Sequence, residues 1–107
     1  MNKYLLALVF CWLALGANAE RAAFQVVLKN NRFSPAEVQV PANSLLWLVI
    51  ENKGDSAEEF TSKDLHRGKI IAAGKTEKIK IGPLKAGSYH FSGAFNPETA
   101  QGVVIAK

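Results

Sequence analysis

The sequence predicts an all-β domain of the sandwich or barrel type, and two observations carry that expectation. Apolar residues recur at alternate positions in several short runs, and turn-forming residues separate those runs. Side chains of an extended strand alternate between faces, so period-two patterning marks strands buried on one side and wet on the other.

The first nineteen residues lie outside that pattern. Lys3 supplies a charged start, Tyr4 to Leu15 an apolar run, and Gly16-Ala17-Asn18-Ala19 a small-residue exit, which predicts a signal peptide cleaved after Ala19. The run is about twelve residues, against the roughly twenty that a membrane-spanning helix takes, so a permanent anchor is the weaker reading. Cys11 follows Leu8-Val9-Phe10, where bulky Phe10 stands in place of the small residue a lipoprotein cleavage site requires. Residues 20–107 are then one domain with a small core. They contain no cysteine, so that domain is held by its core or by partners, and thiolate chemistry is excluded.

Along residues 20–107, Phe24, Val26 and Leu28, then Val38 and Val40, Ile79 and Ile81, Tyr89 and Phe91, and finally Val103 and Ile105 are the expected core-facing sets. Gln25, Gln39, Lys78, Lys80, His90 and Ser92 fall between them and suit a wet face, with Val27 and Val104 as apolar exceptions. Leu45 to Ile50 is apolar at every position. It reads either as a central strand covered on both faces or as a strand whose outer face meets another surface, with Trp47 assigned to the core. Ala57 to Gly68 lacks alternation and is expected to be a short helical turn or an irregular loop. Asn30-Asn31, Ser34-Pro35, Pro41-Ala42-Asn43, Asn52-Lys53-Gly54-Asp55, Ala73-Gly74, Gly82-Pro83 and Lys85-Ala86-Gly87 supply the turns.

The formal net charge of +4 is spread along the chain without an arginine-rich block, so nucleic acid is not an expected partner. No serine is patterned with His66 or His90 as a nucleophile and base would be, so no enzymatic activity is expected. Lys75, Lys78, Lys80 and Lys85 either steer an acidic partner or protect a strand face.

The order of landmarks resembles the cupredoxins over nearly all of residues 20–107: Phe33-Ser34-Pro35, Val38-x-Val40-Pro41-Ala42, Leu48-Val49-Ile50-x-Asn52, Gly74-Lys75-Thr76, Pro83-Leu84-x-x-Gly87-x-Tyr89-x-Phe91 and Gly102-x-Val104. The resemblance implies a Greek-key β-sandwich, and Gly87-Ser88-Tyr89 looks like a tyrosine corner. It also implies where a blue copper site would lie. The first imidazole would fall at Glu58, the thiolate at Gly93, the second imidazole at Asn96 and the thioether within Thr99 to Gln101, so none of the four ligands is in place. Within the superfamily, Glu58-Glu59-Phe60 together with Phe95-Asn96-Pro97-Glu98-Thr99-Ala100 is similar to cupredoxin-like domains of bacterial periplasmic iron-uptake systems. In that group a His often stands at the position of Asn96, and carboxylates near those of Thr61 and Gly68; this sequence departs at all three.

Carboxylates suit hard ions such as iron(II), so Glu58, Glu59 and Glu98 are the candidate metal ligands, with His66 as a further candidate. Adjacent Glu58 and Glu59 on an extended segment point to opposite faces, and the competing reading of all three is solvated loop charge. The expectation is an exported, periplasmic or secreted protein, a metal-binding or accessory component of iron or copper uptake that holds iron(II) or copper(II) and meets another uptake component. The alternative is a metal-free structural or protein-interaction module.

Overall fold

The computed structural model describes residues 21–107, and the expected signal segment lies outside them. Nine strands follow one another: β1 Ala22–Lys29, β2 Arg32–Ser34, β3 Glu37–Val40, β4 Leu46–Asn52, β5 Glu58–Ser62, β6 Arg67–Ile71, β7 Thr76–Ile81, β8 Gly87–Gly93 and β9 Gln101–Ala106. They form one sheet in the order β2-β1-β4-β7 and a second in the order β3-β9-β8-β5-β6. β1 runs parallel to β4 and β3 parallel to β9, while the other pairs are antiparallel.

The core is what the inner faces contribute. Val26 and Leu28, Leu46, Leu48 and Ile50, and Ile79 and Ile81 come from the first sheet; Val38, Val40, Phe60, Ile71, Phe91 and Val104 come from the second. Phe33 of β2 meets Phe60 and Phe91 edge-on, at centroid distances of 6.4 and 5.1 Å, and so joins the two layers through aromatic contact. Among the described residues, both sheets and this core are drawn from residues 22–106. Asn52 is buried at the end of β4, where its amide donates to the Ser56 and Ile71 carbonyls and accepts from the Gly54 N–H. A buried amide left unpaired would be costly, and here every group has a partner. The Tyr89 hydroxyl donates to the Lys85 carbonyl at 2.7 Å, which is the expected tyrosine corner.

Three expectations need correction. Residues 57–68 are not helical or irregular, for β5 and β6 form a hairpin there, closed by a turn in which His66 takes a left-handed φ of 56°. Alternation was hidden because two of the three inward positions on β5, Glu58 and Ser62, are polar. On β9 the register is the reverse of that expected, with Gly102, Val104 and Ala106 inward and Val103 and Ile105 half-buried outside. Glycine fits the inner row because the Phe91 ring already fills that space, and a Cβ at position 102 would run into it. Trp47, assigned to the core from the sequence, lies half-buried on the outer face of β4, between Ala23 of β1 and Lys80 of β7.

Candidate functional site: a carboxylate at the ligand position

β5 opens with Glu58, and its inward pattern carries this side chain under the loop that links β8 to β9. The residue is 2% exposed. Oε1 accepts the Phe95 backbone N–H at 2.8 Å and the Glu59 N–H at 2.8 Å, while Oε2 accepts the Asn96 side-chain amide at 3.0 Å. Hydrogen bonds to a charged acceptor are the strong kind, and a carboxylate this deeply buried is tolerable only with such partners.

The loop is shaped to deliver those donors. Gly93 and Ala100 bond across its base, the Ala94 N–H bonds the Glu59 carbonyl, and the Asn96 carbonyl accepts from the N–H groups of Thr99 and Ala100. Gly93 is required for close approach. A Cβ at that position would stand 2.6 Å from the Glu58 carboxyl carbon and 2.8 Å from the Ala100 Cβ, inside van der Waals contact. Positions 58, 93 and 96, which the resemblance matched to ligand positions, and Ala100 of the matched stretch Thr99 to Gln101, thus converge in space, but around a carboxylate and its donors.

The remaining candidate ligands are not brought to Glu58. Glu59 points to the opposite face of β5, as strand alternation requires. Glu98 is exposed on the loop. His66 is exposed in the β5–β6 turn, beyond the far end of β5, and neighbouring Leu65 packs into the core. Among the described residues no three His, Cys, Asp or Glu side chains gather as a metal cluster would. His90 lies on the outer face beside a groove of about 340 Å³ that also borders Asp64. There the His90 N–H donates to the Asp64 carboxylate at 2.9 Å and the Ser62 hydroxyl donates to the His90 carbonyl, so backbone groups that β5 leaves unpaired are satisfied by side chains.

The Cupredoxin-like domain model matches residues 3–106. The chain belongs to the cupredoxin-like family. An uncharacterized protein of Rickettsia prowazekii is 41% identical over 81 residues, a match covering 76% of this chain; the chain spans 65% of that relative's own length. Auracyanin B superposes with a TM-score of 0.70 at 11% identity, covering 83% of this chain and 91% of that one. Amicyanin from Paracoccus versutus gives 0.64 at 18% identity, covering 85% and 87%. At such identities the solved structures report the shared β-sandwich.

The cupredoxin fold is associated with copper, and the residues present decide whether that ion fits. Blue copper takes imidazole, thiolate and thioether ligands. The chain's one cysteine and one methionine are Cys11 and Met1, both before β1, and a side chain grown at position 93 collides with the Glu58 carboxylate. Both Glu58 oxygens already accept hydrogen bonds from the chain itself. These residues do not fit a type-one copper ion.

From the sequence Asn96 is legible only as a missing imidazole; the structure adds its role as a donor to Glu58. The available signal was the pairing of changes: a carboxylate at one ligand position, an amide donor at another and a glycine at the third.

Proposed function

We propose that this cupredoxin-like domain is a metal-independent interaction module that acts by binding and not by catalysis, exported under the signal read in its first nineteen residues. The observation that carries the reading is the Glu58 carboxylate, which is buried and bonded to the loop at the place where the family's ligands belong. At the positions where the resemblance places copper ligands, hydrogen bonds to Glu58 join β5 to the loop between β8 and β9. Among the described residues no helix is long and apolar enough to cross a membrane.

The test is isothermal titration of residues 20–107 with iron(II) under anaerobic conditions and then with copper(II). The expected result is no saturable uptake of either ion. One-site binding in the micromolar range or tighter, about 8 kcal/mol or more, would overturn the reading and restore a metal-handling role in iron or copper uptake. Glu58, Glu59 and Glu98 would then be the first residues to replace.

A further inference from the structure

We propose that the outer face of the first sheet, at its Trp47 end, is a binding surface for anionic lipid headgroups. Leu45 and Trp47 fall on the same side of the chain where it enters and runs along β4, and Leu45 is 49% exposed. Three cations crowd the Trp47 ring: the Arg21 guanidinium lies 5.1 Å from its centroid, Lys78 Nζ 4.8 Å and Lys80 Nζ 5.9 Å. Strand register places the lysines, since Trp47 pairs with Lys80 and Val49 with Lys78.

Each cation is attracted to the ring, but the three repel one another. The nearest acid on the same face of β4 is Glu51, paired with Thr76 and two pairs further along. Among the described residues the one ion pair is Lys69–Glu77, and no carboxylate of those residues lies within ion-pairing distance of the three cations. The patch therefore combines an aromatic ring, an exposed leucine and unneutralised positive charge. A membrane interface offers the complement, with headgroup phosphates for the cations and an amphipathic boundary for the indole.

The apolar half of the patch favours a lipid surface over an acidic protein, because Leu45 and the Trp47 ring suit an amphipathic boundary beside the phosphates. β1 and β4 are parallel and pair Ala22 with Leu46, which brings Arg21 to the Trp47 end of the sheet. The proposal rests on the reading of the domain as an interaction module and names what it binds.

Residues 20–107 hold Trp47 as their sole tryptophan, so its fluorescence reports the patch directly. The experiment mixes this domain with vesicles of phosphatidylglycerol and phosphatidylcholine in equal parts, and with vesicles of phosphatidylcholine alone. The expected result is co-sedimentation and a blue shift of Trp47 emission with the anionic vesicles only, lost in about 0.5 M salt. Lys78→Glu with Lys80→Glu should weaken binding about tenfold or more. Lys53→Glu with Lys63→Glu, the same charge change in loops elsewhere, should have little effect. No vesicle binding, equal binding to both vesicle types, equal loss in the control pair, or capture by polyglutamate in place of vesicles would overturn the proposal. All four lysines are exposed, and a thermal melt of each variant checks that it is folded. Failure here leaves the metal titration untouched, whereas saturable metal uptake would sink the interaction module and leave the vesicle result standing.

Discussion

Charge is handled in opposite ways at Glu58 and at Trp47. The Glu58 carboxylate is sealed from water and meets three N–H donors from its own strand and the loop above it. Arg21, Lys78 and Lys80 surround one ring with no carboxylate partner among the described residues. A charge satisfied internally is structural, because its attraction is spent on neighbours fixed by the fold. A charge left without a counter-ion at the surface is available to a partner. The domain therefore has the cupredoxin sandwich with a hydrogen-bonded clamp at Glu58, and the proposed binding surface lies on the outer sheet face.

Substitutions at the two regions should separate accordingly. Glu58→Ala should have the largest effect, about 3 kcal/mol of lost stability, since it strands the Phe95 and Glu59 N–H groups and leaves a cavity; urea unfolding measures it. Gly93→Ala should cost about 2 kcal/mol through collision with that carboxylate. In a double-mutant cycle the Gly93→Ala cost should shrink when Glu58 is already Ala, because one of the clashing groups is gone. Additive losses would show that Gly93 answers to something other than Glu58. Asn96→Ala should cost about 1.5 kcal/mol, less than Glu58→Ala because it removes a single donor. Lys78→Ala should change stability by no more than about 0.5 kcal/mol, since the residue is exposed and its contribution is to the surface. A large loss there would erase the contrast between the two regions.

Much of the sandwich was legible because β1, β3, β7 and β8 follow a clean two-residue period. On β5 and β9, where reading failed, one inner-face feature was unusual. Glu58 and Ser62 point inward on β5 and disguise its alternation. Val103-Val104-Ile105 is apolar throughout, and only the Phe91 ring, through Gly102, decides which face of β9 goes in. Trp47 misled because a large aromatic in an apolar run suggests core, yet register sets it on the outer face beside Lys80. At the candidate site, positions 58, 93 and 96 were legible as a group. That they close around a carboxylate was not, because the decisive donor is the Phe95 backbone N–H, which every non-proline residue carries and no side-chain pattern reveals.

The central claim is that Glu58 holds the loop in order without metal, and amide hydrogen exchange of residues 20–107 tests it most directly. In the presence of a chelator the Phe95 and Gly93 amides should exchange slowly, and neither copper(II) nor iron(II) should slow them further. Fast exchange of these amides in chelator, slowed when either ion is added, would contradict the account and mean that the loop waits for a metal after all.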